Sequence, residues 1–392
     1  MPDRSARLLA LIALVAVTGC SAGSAAGSAG SGGSAAGSAG GRATPGLTAE
    51  PTPATGAASP SPAPAPPGSG PAQEPTLAFA GDIHFEDYLA PVARAPQGLA
   101  ALRPLFASAD LSMANLETAI TERGTRIGKE FHFRAPASAL QTLADTGLDV
   151  LTQANNHGVD FGPVGLEDTL AAREASPIPI VGIGKDEQDA FAPHVTDVNG
   201  LRVAVFGADQ VYEMTLANFS AGLTKGGVAS SMPTTRIVAA VKAIRDSVDV
   251  VVVYLHWGTD YQQCPDGASV ATARDLEAAG ADVIVGAHSH RVNGSGWLGR
   301  AYVAFGLGNF VWWRSAEPDS RTGVLTLTLD REAARAARPG RRSASVVTRA
   351  DWTPLLIGRD GIPAAPPAAD GERLHRLWEQ ARACTGLAAT PD

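Results

Sequence analysis

Residues 248–258 read VDVVVVYLHWG, and this stretch decides the fold. Every position from 250 to 255 is apolar, so both faces of the predicted strand Val248–Leu255 are expected to be buried. A strand that is covered on both faces lies in the middle of a sheet with further layers on either side. His256 follows directly, so polar side chains begin where the apolar run ends.

Short apolar runs and helical patterns alternate on both sides of this strand, which is typical of an α/β or αββα layered domain. The other predicted strands are Thr76–Ala80, Leu111–Asn115, Asp149–Gln153, Ile178–Val181, Leu201–Phe206, Asp282–Val285, Ala301–Phe305, Val324–Leu329 and Ser345–Ala350. The predicted helices are Leu99–Ser108, Ala137–Asp145, Gly165–Ala175, Thr235–Asp246, Val270–Ala279 and Gly371–Ala383. Roughly 300 residues take part, enough for one large domain with a sizeable core.

The first 20 residues have the pattern of a bacterial secretion signal. Arg4 and Arg7 precede the apolar run Leu8–Val17, which is too short to span a bilayer. Small residues then lead to Cys20, which resembles a lipobox, in which the cysteine is diacylated and becomes the mature N-terminus. An ordinary secretory signal with an incidental Cys20 is the alternative. Lipidation predicts an extracytoplasmic protein anchored to the cell membrane, since each buried methylene adds roughly 0.8 kcal/mol of affinity.

Residues 21–75 form a predicted tether of Gly, Ala, Ser, Thr and Pro that buries too little apolar surface to fold. A tether of roughly 50 such residues reaches about 40 Å root-mean-square. The predicted globular domain covers residues 76–360. Residues 361–392 are a proline-rich segment and a C-terminal helix that is expected to pack on the domain.

The chain of 392 residues has a net charge of −8, so it offers no basic field to hold nucleic acid. Three cysteines are present, and lipidation of Cys20 leaves Cys264 and Cys384 as an even pair in an oxidising compartment. We predict a disulfide between these two, with two buried free thiols as the alternative. The sequence has no Gly-x-x-x-x-Gly-Lys-Ser/Thr phosphate loop, so the chain is not itself a P-loop ligase.

Polar motifs follow six of the predicted strands. They are Gly81-Asp82-Ile83-His84, Asn115-Leu116-Glu117-Thr118, Asn155-Asn156-His157-Gly158, His256-Trp257-Gly258, Gly286-Ala287-His288-Ser289-His290 and Phe305-Gly306-Leu307-Gly308-Asn309-Phe310. Five of the eight histidines lie in these segments. Open α/β sheets place ligands at the carboxyl ends of their strands, and histidine with carboxylate suits zinc, iron, manganese or nickel ions. The motifs together therefore predict a metal site.

Each motif alone has a plainer explanation. Gly-Asp after a strand is often only a turn, and a single histidine there is more often a hydrogen-bonded structural residue. His288 and His290 are a stronger signal, because alternate residues of a strand point to one side. Two surface histidines are the alternative for this pair, but five such segments in one chain favour the metal site.

In this order the six motifs resemble the CapA family of poly-γ-glutamate capsule biosynthesis proteins, a branch of the calcineurin-like metallophosphoesterase superfamily. The resemblance covers residues 76–330. It implies an αββα sandwich, in which two mixed sheets are flanked by helices. It also implies a site for two divalent metal ions, with manganese, zinc and iron as the candidates.

The resemblance further implies a role for each matching residue. The implied metal ligands are Asp82, His84, Glu117, Asn156, His256, His288 and His290. The resemblance assigns Asp82, His84 and His290 to the first metal and Asn156, His256 and His288 to the second. It places Asp82 and Glu117 as the carboxylates that bridge the two metals. His157 is the implied general acid, which gives a proton to the leaving group. Two cations about 3.5–4 Å apart lower the pKa of a bridging water and clamp a phosphoryl group.

Three positions depart from the usual pattern. Glu117 stands where the superfamily has an aspartate, and its longer side chain changes the bridge between the metals. Ser289 stands where proline is common, a change that we expect to be harmless. His84 is present although many family members lack a histidine there, which favours a complete first site.

Arg134, Trp257 and Asn309 are the predicted substrate-binding residues. Arg134 is expected to neutralise an anionic substrate, and a surface salt bridge is the alternative. Trp257 is a candidate to stack on a sugar or peptide, as are four further aromatic residues near the motifs: Tyr261, Trp297, Trp312 and Trp313. Packing in the core or at the rim is the role that the sequence favours for these five aromatic residues.

The sequence leaves more than one function open. The first is a metal-dependent hydrolase or transferase of the cell envelope that acts on a phosphoester or on a γ-glutamyl amide. The second is a non-catalytic, tethered subunit for export or retention of an anionic polymer such as poly-γ-glutamate, with capsule-synthesis ligase subunits as partners. A weaker third is a module that binds cell-wall glycan through its aromatic residues.

Overall fold

The computed structural model describes residues 73–336 and 344–391. Its strands are β1 (Thr76–Ile83), β2 (Leu111–Leu116), β3 (Ala119–Ile120), β4 (Arg134–Ala135), β5 (Val150–Thr152), β6 (Ile180–Val181), β7 (Ile183–Gly184), β8 (His194–Val198), β9 (Leu201–Asp209), β10 (Gly227–Val228), β11 (Val250–Trp257), β12 (Val283–His288), β13 (Ser295–Leu298), β14 (Ala301–Ala304), β15 (Asn309–Val311), β16 (Arg321–Leu329), β17 (Val347–Ile357) and β18 (Pro363–Ala364). Its α-helices are α1 (Arg103–Phe106), α2 (Ser138–Ala144), α3 (Gly162–Glu174), α4 (Glu187–Ala190), α5 (Met214–Phe219), α6 (Thr235–Ile244), α7 (Gly267–Ala279), α8 (Arg331–Ala336) and α9 (Ala368–Ala381). The predicted signal peptide, Cys20 and the tether up to residue 72 lie outside the described residues. Within the described ranges, every helix is too short or too polar to cross a membrane.

Most strands belong to two sheets. The first has the order β18-β17-β16-β1-β2-β5-β6, with β15 also pairing with β1, and the second has the order β13-β14-β12-β11-β9-β8. In the first sheet β1, β2, β5 and β6 are parallel. In the second, β9, β11, β12 and β14 are parallel. Each sheet therefore gathers the carboxyl ends of several strands at one edge.

Strand β11 shows how the layers are arranged. Val252 and Tyr254 belong to an apolar core between the sheets, which also contains Phe79 of β1. Val253 and Leu255 point to the other face, where α6 and α7 cover them. Helices α2 and α3 cover the outer face of the first sheet in the same way. The predictions of a central strand and of an αββα sandwich are confirmed.

Some predicted elements have different bounds. The predicted helix Leu99–Ser108 is a 3-10 turn, Ala100–Leu102, followed by the single turn of α1. The predicted strand Ser345–Ala350 is the start of β17, which continues to residue 357 because it pairs along nearly all of β16. The sequence pattern does not predict β8, because most of its residues are only partly buried at the edge of the second sheet.

The residues after 360 continue the first sheet. Strand β18 pairs with β17, and α9 then packs on that sheet with Leu374 and Trp378 buried. Trp378 stacks on Trp352 of β17, with ring centroids 6.0 Å apart. A disulfide joins Cys264, in the loop after β11, to Cys384 after α9, with the two Cα atoms 5.8 Å apart.

Candidate metal centre

Strand ends from both sheets meet at one place. The first sheet brings Asp82 at the end of β1 and Glu117 just after β2, and Asn156 follows β5. The second sheet brings His256 near the end of β11 and His288 at the end of β12. All five side chains are buried. This is the convergence of polar motifs that the sequence predicts.

Two close contacts fix the backbone beneath this place. A Cβ on Gly81 would lie 1.9 Å from the carbonyl oxygen of Gly308, so only glycine allows the two chain segments to approach. The Tyr254 hydroxyl donates a hydrogen bond of 2.7 Å to the carbonyl oxygen of Ala80, which ties the second sheet to the first. The position of the Asp82 backbone is therefore set by both sheets.

Glu117 lies at the middle of the group. Asp82, Glu117 and His256 offer ligand atoms that all lie within 4.8 Å of one another. Oε1 of Glu117 is 3.7 Å from Nε2 of His157 and 3.7 Å from Nε2 of His256, and neither carboxylate oxygen has a hydrogen-bond partner in the described structure. Burial raises the pKa of Glu117 well above its ordinary value, and the charge of Asp82 raises it further. A divalent cation would satisfy this carboxylate, so the residues fit a metal site.

Asp82 is held by neighbouring groups to which the sequence assigned no such role. Nδ2 of Asn115 donates to Oδ1 of Asp82 at 2.8 Å, and the backbone N–H of His288 donates to Oδ2 at 3.2 Å. Nδ2 of Asn155 in turn donates to Oδ1 of Asn115 at 3.0 Å. Such neighbours orient a ligating carboxylate, as hydrogen bonds around metal ligands generally do.

Asn156 and His256 face each other. Nε2 of His256 lies 2.8 Å from Oδ1 of Asn156, and Nδ1 of His256 lies 3.1 Å from Nδ2 of Asn115. The amide of Asn115 donates, so Nδ1 accepts and the ring proton lies on Nε2. His256 and Asn156 would hold a metal with these two atoms only after the ring proton on Nε2 had left.

His290 is arranged for metal binding by Asn309. Nδ2 of Asn309 donates to the carbonyl oxygen of Asp319 at 2.9 Å, so its Oδ1 is the atom that faces Nδ1 of His290 at 2.8 Å. Nδ1 therefore carries the proton and Nε2 keeps its lone pair free for a metal. The prediction that Asn309 binds substrate is wrong, because its fully buried side chain is occupied by these two contacts.

His288 and His290 reach the site in a different way from the one predicted. Strand β12 ends at His288, and the two residues have φ angles of 89° and 52°, in the left-handed region. A tight turn therefore directs the two rings, whereas strand alternation does not. Nε2 of His288 lies 3.5 Å from Oδ1 of Asp260, and its Nδ1 is buried without a hydrogen-bond partner in the described structure.

His84 lies in an aromatic setting. Its ring stacks on Phe133 with centroids 4.5 Å apart, and Trp312 and Trp313 meet its edges at 4.1 Å and 4.6 Å. Nδ1 accepts the backbone N–H of Glu86 at 3.0 Å, which places the proton on Nε2. This Nε2 is buried and has no partner among the described residues, so a metal would replace its proton here as well.

His157 is held on two sides. Nδ1 lies 2.6 Å from Oδ2 of Asp160, and the ring stacks on Phe133 with centroids 4.0 Å apart. Burial lowers the pKa of His157 well below its ordinary value, and the nearby Lys129 lowers it further, so the ring is neutral. The carboxylate of Asp160 accepts a hydrogen bond from the N–H at Nδ1. Nε2 therefore carries no proton, and its lone pair is directed towards Glu117.

Asp160 and Lys129 are the site residues that sequence reasoning missed. Burial raises the pKa of Asp160 to about 6, although the ion pair with Lys129, at 2.9 Å, opposes this shift. Nζ of Lys129 also contacts the carbonyl oxygen of Asn156 at 2.6 Å and Oε1 of Glu213 at 2.9 Å. The spacing Asn-His-x-x-Asp is a usable signal for Asp160, whereas Lys129 reaches the site from a loop with no motif.

Trp257 is a packing residue and not the substrate-binding residue that was predicted, and Arg134 lies outside the cleft. Trp257 is buried, its Nε1 donates to the carbonyl oxygen of Phe305 at 2.8 Å, and its ring packs in the core beneath α7. Arg134 lies over the ring of Phe161, 3.9 Å from its centroid, and lines a different depression from the one above the metal ligands. Trp297 is likewise a packing residue, since its Nε1 donates to the carbonyl oxygen of Val347 at 3.2 Å.

An open cleft leads from solvent to the candidate metal centre. Aromatic and charged side chains line its walls: Lys129, Glu130, Phe131, Phe133, Glu213, Asp260, Tyr261, Trp312, Trp313 and Arg314. At its floor are Asn156, His157, His288 and His290. Phe131 and Tyr261 are each 42% exposed at the rim, so flat apolar surface is available beside the charges.

Two sheets between helical layers, with buried histidine and carboxylate side chains gathered at the strand ends, define the class of fold and site. The chain belongs to the bacterial capsule synthesis protein family PGA_cap, whose model matches residues 76–312. The match includes every candidate metal ligand and His157, and it ends before α9 and the disulfide-bonded Cys384.

Relatives from several bacteria are similar to this chain. The PGA biosynthesis protein CapA of Bacillus subtilis is 30% identical over 243 residues, which cover 60% of this chain and 63% of that protein. The capsule biosynthesis protein CapA of Bacillus anthracis is 32% identical over 187 residues, or 47% of this chain and 45% of that protein. A probable polyglutamine synthesis accessory protein of Mycobacterium tuberculosis is 30% identical over 189 residues, which cover 46% of this chain and 50% of that protein. The chain thus spans less than two thirds of the length of these curated relatives.

Solved structures with a similar arrangement are distant in sequence. A novel phosphatase of Mycoplasma pneumoniae is 14% identical, with a TM-score of 0.45 over 78% of this chain and 97% of its own. The sulfate thiohydrolase SoxB of Thermus thermophilus is 13% identical, with a TM-score of 0.43 over 80% of this chain and 61% of its own. Likenesses this distant carry no argument about the activity of this chain.

Proposed function

We propose that the protein is a metal-dependent hydrolase that holds two divalent ions between its sheets. The observation that carries the proposal is Glu117, a buried carboxylate whose oxygens have no hydrogen-bond partner in the described structure. Asp82 and His256 offer ligand atoms within 4.8 Å of it. An ionised carboxylate without partners is costly to bury, and a cation removes this cost. Histidine nitrogen and carboxylate oxygen together suit manganese, zinc or iron.

Seven side chains are proposed to hold the ions: Asp82, His84, Glu117, Asn156, His256, His288 and His290. When bound, the ions supply Lewis acidity and positive charge for the hydrolysis of a phosphoester or an amide. Asn115 fixes one oxygen of Asp82, and Asn309 fixes the tautomer of His290. These two amides prepare the ligands without touching the substrate.

His157 is proposed to move the proton of the reaction at Nε2. Asp160 holds the Nδ1 proton and thereby fixes which nitrogen is free. Because burial keeps the ring neutral, Nε2 first takes a proton from the attacking water and then passes it to the departing oxygen or nitrogen. Phe133 covers one face of the ring and keeps water from it. The role of general acid thus includes an earlier step as a base.

The proposed substrate is a polymer of the cell envelope, joined by phosphoester or γ-glutamyl amide bonds. Support comes from the names of two relatives, one for PGA biosynthesis and the other for capsule biosynthesis. We further propose that Cys20 is lipidated and that the domain acts on the outer side of the cell membrane. Capsule-synthesis ligase subunits are the proposed partners, because the chain carries no phosphate loop of its own.

The test uses full-length protein reconstituted with manganese, zinc or iron, with bis(p-nitrophenyl) phosphate and γ-glutamyl p-nitroanilide as probes. His288→Asn removes a proposed ligand, and His375→Asn is the matched control, since this histidine is 44% exposed on α9. We expect hydrolysis of at least one probe by the wild type and the control, and a loss of about 100-fold in H288N. Equal rates in H288N and H375N would contradict the proposal.

A non-catalytic role in export or retention of an anionic polymer is the second candidate. The name of the Mycobacterium tuberculosis relative, a probable accessory protein for polyglutamine synthesis, favours it. A strain that carries only the H288N variant separates the two roles. Polymer output that persists in this strain at the wild-type level supports the accessory role, and its loss or altered chain length supports the hydrolase.

A further inference from the structure

Two side chains with a permanent positive charge line the cleft, Lys129 and Arg314. An ammonium group has three N–H donors. Nζ of Lys129 donates to the carbonyl oxygen of Asn156 at 2.6 Å and to Oε1 of Glu213 at 2.9 Å, and it forms an ion pair with Oδ1 of Asp160 at 2.9 Å. Its side chain is only 7% exposed. The charge of Lys129 is therefore taken up by these three contacts within the protein, and its Nζ is not available to bind a substrate.

Arg314 is held in place but keeps most of its donors. Nη1 donates to Oδ2 of Asp319 at 3.1 Å, and Oδ1 of Asp319 accepts from Nη1 of Arg291 at 2.7 Å. The guanidinium carbon of Arg314 lies 5.4 Å from the centre of the Tyr261 ring. The side chain is 42% exposed to the cleft and solvent. A guanidinium has five N–H donors. Asp319 takes one of them and the Tyr261 hydroxyl a second, so three remain for a substrate.

The same segment positions Arg314 and a metal ligand. Asn309 accepts from Nδ1 of His290 and donates to the carbonyl oxygen of Asp319. The side chain of Asp319 then holds Arg314. A short chain of hydrogen bonds therefore links the floor of the cleft to its mouth. Such a connection sets the position of Arg314 relative to the metal centre before any substrate arrives.

The acidic side chains of the cleft do not occupy Arg314. Glu213 is paired with Lys129, and Oδ1 of Asp260 is 3.5 Å from Nε2 of His288. Among the ion pairs of the described residues, Arg314 has Asp319 as its partner. The planar fork of a guanidinium matches the oxygens of a carboxylate or a phosphate, with two parallel hydrogen bonds.

We propose that Arg314 binds a second anionic group of the substrate, a carboxylate or phosphate oxyanion that lies outside the bond being broken. The inference rests on the proposed hydrolase function and narrows its substrate to molecules with repeated anionic groups. Arg314 thus takes the place that the sequence assigned to Arg134. Asp319 is a positioning residue for it.

The experiment compares two matched pairs of probes by titration calorimetry on metal-loaded, full-length protein. The carboxylate pair is γ-glutamyl p-nitroanilide and its α-carboxamide. The phosphate pair is glycerol that carries a p-nitrophenyl phosphodiester on C1 and a phosphate on C3, and the same p-nitrophenyl phosphodiester of glycerol without the phosphate on C3. The variants are R314Q and R314K, with R349Q as the control, because Arg349 is 68% exposed on β17 and does not line the cleft.

We expect the wild type and R349Q to bind the probe with the additional anion about tenfold or more tightly than its partner in one pair. R314Q should lose this preference, and R314K should keep a fraction of it, because an ammonium lacks the fork. The pair that shows the preference identifies the oxyanion as carboxylate or phosphate. Absence of any preference in the wild type, or its full retention in R314Q, overturns the inference.

These measurements separate the inference from the hydrolase proposal. Binding is read directly, so a protein that hydrolyses none of the probes still shows whether Arg314 selects for the second anion. In that case the proposed hydrolase function fails while the binding site stands. If the protein hydrolyses the probes and R314Q leaves the ratio of the two KM values unchanged, the hydrolase function stands and the proposed role of Arg314 fails.

Discussion

Nδ1 of His157 lies 2.6 Å from Oδ2 of Asp160, while Nε2 of the same ring faces Oε1 of Glu117 across 3.7 Å. One nitrogen is therefore fixed by a carboxylate partner and the other is directed towards the candidate metal centre. Phe133 holds the plane of the ring by stacking on it. A histidine placed in this way is suited to move protons at Nε2 and not to serve as an eighth metal ligand.

His157→Asn tests this role through the leaving group. We expect kcat for an alkyl phosphoester to fall by about 10²–10⁴-fold, because an alkoxide needs a proton to depart. The loss should be much smaller for a p-nitrophenyl ester, whose phenolate leaves without one. Steady-state kinetics on both esters, with the metal content measured beside them, give the comparison. Equal losses for the two esters would show that His157 does not act as the acid.

Asp160→Asn should weaken the reaction without removing it. An amide at this position no longer draws the proton to Nδ1, so we expect kcat to fall by about 10–100-fold with a small change in KM. Asp351→Asn is the control, since Asp351 is 52% exposed and pairs with Arg349 on the surface. Because Asp160 also pairs with Lys129, circular dichroism must show that the variant is folded. A variant that loses metal and kcat together would contradict a role in positioning alone.

Glu117→Gln should change the stability of the protein in opposite directions with and without metal. In a chelator, the variant removes a buried carboxylate without partners, so its free energy of unfolding should rise by about 1–3 kcal/mol at neutral pH. In saturating metal it should instead be less stable, because metal bound to the folded state stabilises the wild type. Urea unfolding of both proteins, with the exposed Glu122→Gln as control, gives the values.

The difference in free energy of unfolding between E117Q and the wild type in chelator should depend on pH, because the pKa of Glu117 is raised. The folded form holds its proton to higher pH than the unfolded chain does. The destabilisation by Glu117 therefore shrinks as the pH falls below the folded pKa and is gone only below the unfolded pKa. The advantage of E117Q in chelator should therefore shrink at acidic pH. An advantage that grows as the pH falls would have the wrong sign for this account.

The disulfide should stabilise the fold without contributing to the metal site. Cys264 and Cys384 are 120 residues apart in the chain, so their bond restricts a large loop of the unfolded state. We expect Cys384→Ser, combined with Cys264→Ser, to lower the free energy of unfolding by about 2–5 kcal/mol. The bound metal per chain should stay at the wild-type value. Loss of metal in this double variant would show that the C-terminal residues support the site.

Sequence patterns were sufficient where one physical rule dominated. The apolar run of β11 predicts burial on both faces, and polar residues after the strands predict a shared edge. These rules are local, and they place Asp82, Glu117 and His256 together. No local sequence pattern predicts the close contact between the backbones of Gly81 and Gly308, because these two residues are more than 200 positions apart in the chain. The same holds for the bond between Tyr254 and the Ala80 carbonyl.

The sequence was a poor guide to which neighbours of the motifs reach the cleft. Trp257 directly follows His256, so it points to the opposite side and lies in the core. The sequence motif suggested Arg134 as the residue that neutralises an anionic substrate, but Lys129 and Arg314 are the lysine and arginine that line the cleft. Side-chain direction in loops depends on turns such as those at His288 and His290, whose positive φ angles no local pattern predicts.

The most direct test of the central claim is the metal content of purified full-length protein. The protein is loaded with manganese, zinc or iron, dialysed, and analysed by elemental mass spectrometry beside E117Q and the control E122Q. We expect about two divalent ions per chain in the wild type and in E122Q, and at most about one in E117Q. A wild type that retains no ion after loading, or an E117Q variant that retains as many as the wild type, would contradict it.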